Sequence, residues 1–171
     1  MEAFSDKFIP PFIIGKGKCF KDDRGAFIPL RALDGTIQCN ISISKPKTVR
    51  GIHWQMEHPQ AKLISCLTGK IHDVCIDLRN GSPSHGDVFE FELEGGSGEQ
   101  LFVPEGFGHG FEVIGEKGAM LLYMVSKPYR PDDEGGFFWN SVPANWVTKE
   151  NEAILSEKDA KLPKWDDVEQ P

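Results

Sequence analysis

Between residues 50 and 63 the chain reads RGIHWQMEHPQAKL, which brings an arginine, two histidines and a lysine close together. Two kinds of chemistry use such residues. A metal site of the His-x-His type, completed by a carboxylate and a later histidine, would need a ligand two residues after His53 and an acid further on. Gln55 and Lys62 stand at those places, although a late histidine does exist, His109 in PEGFGHGF. An ammonium repels a divalent ion and supplies no lone pair while protonated, so the spacing predicts no metal. His58, beside Pro59, reads as a surface loop residue.

Proton transfer suits the same residues better. Removing a proton from carbon beside a ketone needs a base, a cation near the oxygen that becomes an enolate, and a second group to return the proton. His53 can be the base, Lys62 the stabilising cation, and Tyr123, a phenol in an otherwise apolar run, the acid. Taken singly, each has a plainer use: a hydrogen-bonded core histidine, a surface lysine, an amphipathic core filler. Arg24 and Arg50 both precede glycine at turn-like points, where guanidinium groups can clamp a phosphate. Asp159, in LSEKD, could orient a histidine.

The elements that must position these residues read as short strands. Eighteen glycines and twelve prolines punctuate brief apolar runs along the whole length. TIQCNISIS alternates, with Gln38, Asn40, Ser42 and Ser44 on one face and Ile37, Cys39, Ile41 and Ile43 on the other. FEFELE alternates as well. AMLLYMV, residues 119–125, is apolar on both faces apart from Tyr123 and predicts a central strand covered on both sides. KIHDVCIDLR predicts a mixed strand and RNGSPSHGD a loop. No sustained helical period occurs before residue 148, and TKENEAILSEKDAKL has room for one or two helical turns. The economical fold is mainly β, closed into a barrel or two packed sheets.

At 171 residues the chain is expected to form a single domain, 1–171. Its 39% hydrophobic content, with no run of about 20 apolar residues, predicts a soluble protein. The N-terminal sequence lacks the apolar core of a signal peptide, so the expected location is cytoplasmic. Cys19, Cys39, Cys66 and Cys75 are dispersed, without a CxxC pair, and read as free buried thiols. A net charge of −7 argues against nucleic acid as the main partner.

Read in order, FKDDRGAF, QCNISIS, RGIHWQ, AKLISCLTGKIHDVCIDLR, GSPSHG, VPEGFGHGF, LLYMVSKPYRPDDEGG, WN and LSEKD resemble the dTDP-4-dehydrorhamnose 3,5-epimerase family from about Phe20 to Asp159. The resemblance implies a cupin-like jelly-roll β-sandwich or barrel with no metal and no organic cofactor. It also implies a homodimer in which the N-terminal segment crosses to the partner. Carried onto this chain, it makes His53 the base, Asp159 its partner, Tyr123 the acid and Lys62 the enolate stabiliser. His109 and Asp73 would line the pocket, Gln38 and Asn40 would contact substrate, and Arg24 and Arg50 would hold a diphosphate. Tyr129 and Phe20 would pack near the base or the sugar.

The implied reaction is epimerisation at carbons 3 and 5 of a nucleotide-linked 4-keto-6-deoxyhexose, giving dTDP-4-dehydro-L-rhamnose. The chain departs from the family pattern at Pro29, where an acid is usual, at Ile41, where histidine usually follows the asparagine, and at Ser141 in place of aspartate. The segment between Pro29 and Gln38 is also shorter. These positions are where contacts to substrate or a partner subunit are expected. The alternatives are a single-carbon epimerase or ketoisomerase of another nucleotide deoxysugar, a non-catalytic sugar-nucleotide-binding cupin, and a metal-dependent cupin oxygenase.

Overall fold

The computed structural model describes residues 9–16, 20–22, 25–27 and 33–167. Twelve strands follow one another: β1 (Phe12–Lys16), β2 (Phe20–Asp22), β3 (Gly25–Phe27), β4 (Gln38–Ser44), β5 (Val49–Gln55) and β6 (Lys62–Thr68), then β7 (Lys70–Asp77), β8 (Val88–Glu94), β9 (Glu99–Val103), β10 (Phe107–Val113), β11 (Ala119–Val125) and β12 (Glu134–Gly136). The predicted C-terminal helical turns are 3-10 turns at Glu150–Glu152 and Asp159–Lys161, with others at Pro131–Asp133, Trp139–Ser141 and Trp165–Asp167.

The strands pair antiparallel into two five-stranded sheets, β1-β9-β6-β11-β4 and β12-β5-β10-β7-β8, beside a small β2-β3 ribbon. The chain passes directly from the first sheet to the second between β6 and β7, at Gly69. Its φ of +81° and the closeness of the Gly118 carbonyl leave no room for a Cβ there. Between the sheets lies an apolar core that includes Ile64, Leu101 and Leu121 from one side and Ile71, Leu93 and Phe111 from the other. This is the mainly β sandwich that the alternating runs predict.

A second apolar cluster covers the outer face of the β5-β10-β7 sheet. Ile52, Val74 and Ile76 meet Phe137, Val142 and Trp165 of the C-terminal segment. Phe137 is central, with ring centroids 4.5 Å from Trp54 and 4.7 Å from Trp165. Ser141, a departure from the family pattern, packs this segment: its hydroxyl donates to the Phe138 carbonyl and accepts the Trp165 N–H.

Two expectations about burial need correction. Cys39 is exposed, whereas Cys66 and Cys75 are buried as expected; Cys19 lies outside the described residues. The reason is that β4 turns its polar row inward. Gln38 and Asn40 are half-buried and Ser42 and Ser44 buried, while Ile41 and Ile43 are 62% and 71% exposed. β11 is likewise covered on one face only. Its outward residues Met120, Leu122 and Met124 are half-buried and pair across the ladder with Ile43, Ile41 and Cys39.

Phe137→Ala should cost about 3–5 kcal/mol, the usual loss for removing a buried aromatic side chain. The check is the urea midpoint at an unchanged m-value; an unchanged midpoint would mean that the C-terminal segment is not held by this cluster.

Candidate active site

Nine of the candidate residues, His53, Asp159, Tyr123 and Lys62 among them, meet in a cavity of about 410 Å³ between the sheets. One wall comes from β5 and β10, whose register sets His53 opposite His109. The facing wall comes from β4, β6 and β11. There Tyr123 lies across from Asn40 on one side and Ile64 on the other, so Gln38, Asn40, Lys62 and Tyr123 share one face. The period-two alternation of each strand thus delivers an imidazole and a phenol from opposite sides.

The rim is built by the segment after β11. It lays β12 along β5 and then wraps back, so that Asp159, 106 residues beyond His53, reaches the imidazole: Nε2 lies 2.7 Å from Asp159 Oδ1. The Ser156 hydroxyl accepts the Asp159 backbone N–H at 3.0 Å. Burial pushes the Asp159 carboxyl up, but the hydrogen bond with His53 and the backbone and Ser156 contacts outweigh it and hold the group below the ordinary carboxylate range. With Nε2–H donated to Asp159, the lone pair of a neutral His53 rests on Nδ1, 3.7 Å from Glu134 Oε1.

Lys62 makes no ion pair among the described residues. Burial pulls its ammonium below the usual lysine value, against the field of Cys75, Asp73 and Glu134. Tyr123 is pushed up by burial, with Arg50 opposing, and its hydroxyl has no hydrogen-bond partner among the described residues. Arg50 sits at the mouth, its Nε donating to the Ser44 hydroxyl at 3.0 Å.

Asp73 differs from its expected place on the pocket wall. It is fully buried behind His109, whose Nε2 lies 3.0 and 2.9 Å from its two oxygens, so it orients that ring instead of facing the cavity. Burial holds His109 below the ordinary imidazole value. Asp73, Cys75 and His109 bring their donor atoms within 4.8 Å of one another. Burial keeps the Cys75 thiol protonated, Asp73 is engaged by His109 and the Lys62 ammonium lies beside them, so the trio does not fit a divalent ion. Tyr129 stands on the rim, 47% exposed, donating to Glu134 at 2.6 Å. Arg24 and Pro29 lie outside the described residues, and Phe20 is described only as the start of β2. Ile41 points away from the cavity.

A profile of the family described as dTDP-4-dehydrorhamnose 3,5-epimerase matches residues 7–167. The chain belongs to this family. It is 36% identical over 168 residues to the dTDP-4-dehydrorhamnose 3,5-epimerase of Salmonella typhimurium, covering 91% of each chain. The crystal structure of the Elizabethkingia anophelis dTDP-4-dehydrorhamnose 3,5-epimerase superposes with a TM-score of 0.83 at 35% identity, over 95% of this chain and 94% of that one. The Legionella pneumophila dTDP-6-deoxy-D-glucose-3,5-epimerase, solved in complex with dTDP-4-keto-L-rhamnose, gives a TM-score of 0.83 at 28% identity, covering 93% and 95%. The mainly β fold is therefore the cupin-like fold of these epimerases.

Sequence spacing gives no role to Glu134, Ser156 or Lys158, yet all three line the cavity. Glu134 accepts from Tyr129 and Lys158 and faces His53 Nδ1. Burial raises its carboxyl, and the bonds from Lys158 and Tyr129 bring it below the ordinary value. The only available signal was its position inside YRPDDEGG, where Gly135 lets β12 lie against the Trp54 ring.

The chain has two tyrosines, so their ionisation can be followed by absorbance. Both should titrate above the ordinary phenol value of about 10, Tyr123 because it is buried and Tyr129 because it donates to Glu134. In Tyr129→Phe the remaining step should stay high; a step at the free-phenol value would mean that water reaches Tyr123.

Proposed function

We propose that this chain epimerises dTDP-4-dehydro-6-deoxy-D-glucose to dTDP-4-dehydro-L-rhamnose, at carbons 3 and 5. The observation that carries the reading is the pair of groups suited to proton transfer, His53 and Tyr123, on opposite walls of one cavity with Lys62 on the Tyr123 wall. His53 takes the proton from the carbon flanking the ketone, and Asp159 fixes the ring and stabilises the imidazolium formed. Glu134, 3.7 Å from Nδ1, adds negative charge on the side where that proton arrives.

The electron pair left on carbon delocalises onto the ketone oxygen, where Lys62 meets the developing charge. Lowered basicity helps Lys62 share its proton with that oxygen. Tyr123, kept protonated by burial, returns a proton to carbon from the other face, which inverts the centre. The tyrosinate and imidazolium then reset through solvent. Arg50 and Arg24 hold the diphosphate, Gln38 and Asn40 contact the sugar, and Tyr129, Phe20 and His109 pack around it, with Asp73 setting the His109 ring. No step in this scheme calls on a metal or an organic cofactor.

The same reading includes a homodimer, a cytoplasmic location, and no nucleic-acid or membrane partner. The outward face of β4 and β11 supports the dimer: Ile37, Ile41 and Ile43, 64%, 62% and 71% exposed, form an apolar strip on an edge strand, a surface suited to a second copy. Among the described residues no helix is long and apolar enough to cross a membrane, and the net charge of −7 disfavours polyanions.

Incubated in heavy water with the wild type, the substrate should gain deuterium at carbons 3 and 5 by NMR. His53→Ala should lower exchange at both by roughly 10²–10⁴-fold. Tyr123→Phe should keep more wash-in of label than net inversion. Label at one carbon would make the protein a single-site epimerase, and none would remove this substrate.

Sedimentation should give a dimer for the wild type and a monomer for Ile41→Lys/Ile43→Lys. A monomeric wild type would reject the second-copy reading of that face.

A further inference from the structure

On the side of the β5-β10-β7 sheet away from the cavity, His72 sits between two carboxylates. Its Nδ1 is 2.9 Å from Glu112 Oε1 and its Nε2 is 2.9 Å from Glu90 Oε2. A neutral imidazole carries a single N–H, so only the imidazolium donates to both. Glu112 is fully buried, and a carboxylate so placed needs a cation and hydrogen-bond donors.

The carboxylates use their remaining capacity on one stretch of the C-terminal segment. Glu112 accepts the Val147 and Thr148 backbone N–H groups, each at 2.7 Å. Glu90 accepts the Asn145 backbone N–H at 2.8 Å and its side-chain amide at 2.7 Å. Trp146 sets its ring against the imidazole, with centroids 5.7 Å apart. A few residues on, Ile154 bonds to β5 through Val49 N–H and to the Lys47 carbonyl, and Asp159 follows. The chain that delivers Asp159 to His53 is thus tied at residues 145–148 and at 154.

We infer that His72 is a positioning residue for the reaction, an inference that rests on the epimerase reading: its imidazolium, clamped by Glu90 and Glu112, anchors the strap that sets Asp159 against His53. The charged groups facing His72 are Glu112 from β10 and Glu90 from β8. Glu92, directly across on β8, is engaged by Lys70 at 2.6 Å. The bond to Glu112 raises His72 above the ordinary imidazole value, with burial opposing. For a group raised on folding, the stabilisation is complete below the unfolded value, about 6.5, and is lost as pH rises through the folded one. The strap should therefore loosen as pH rises through the raised His72 value.

Two measurements test this. Hydrogen exchange of wild type across pH should show the protection factors of residues 145–160, corrected for intrinsic base catalysis, falling as the His72 ring proton signal titrates, with those of β7 and β10 unchanged. In turnover, His72→Phe should lower kcat at least tenfold with little change in KM and lack the pH step that follows the His72 titration. His72→Lys, which keeps a cation there, should recover most of kcat and move the step upward. Glu90→Gln, a milder change at a partly exposed residue, should move it down, and it serves if His72→Phe does not fold. A fully active His72→Phe, or exchange at 145–160 that ignores the His72 titration, overturns the inference. A wild type inactive on the sugar nucleotide would sink the epimerase reading, while hydrogen exchange would still decide whether the clamp holds the strap.

Discussion

The hydrogen bond between His53 and Asp159 sets conditions on most of the molecule. At 2.7 Å it joins a residue in the middle of β5 to one near the end of the chain. To make it, the C-terminal segment must cross the outer face of one sheet and return to the cavity mouth. The aromatic cluster around Phe137 supplies apolar burial for that crossing, and the Thr48–Ile154 bridge fixes the return. Packing on one side of the sheet thereby determines geometry on the other.

Burial also tunes the groups inside. Between two apolar layers an ammonium loses and a phenol gains affinity for its proton, so Lys62 falls below its ordinary value while Tyr123 rises above its own. Asp159 and Glu134 escape the same pressure because each accepts several hydrogen bonds. One cavity can hold a ready donor and ionised acids together because hydrogen bonding, unlike desolvation, is set residue by residue.

Much of this was legible in the sequence. Period two is visible in QCNISIS and FEFELE, and the identities of His53, Lys62 and Tyr123 suggest enolisation chemistry before any fold is known. What alternation cannot say is which face turns inward. β4 buries serines and exposes isoleucines, a reversal that depends on what the rest of the chain places on each side. Nor could spacing place Asp73 behind His109, because both residues alternate correctly for the pocket and only the cross-strand distance puts one in front. Glu134 and Lys158 were hidden for a related reason: they meet each other across 24 residues, and Glu134 meets His53 from a distant strand, which spacing does not reveal.

The two unlike faces of β4 give the backbone around Lys45–Thr48 an unusual influence. Loss or gain of one residue there that propagated through the strand would exchange its faces. Gln38 and Asn40 would leave the cavity and the isoleucines would enter it. A polar wall would become a greasy one and the outer surface would turn hydrophilic, without a single side chain in the strand being replaced. In this protein the chemistry of a wall is written in phase as well as in composition.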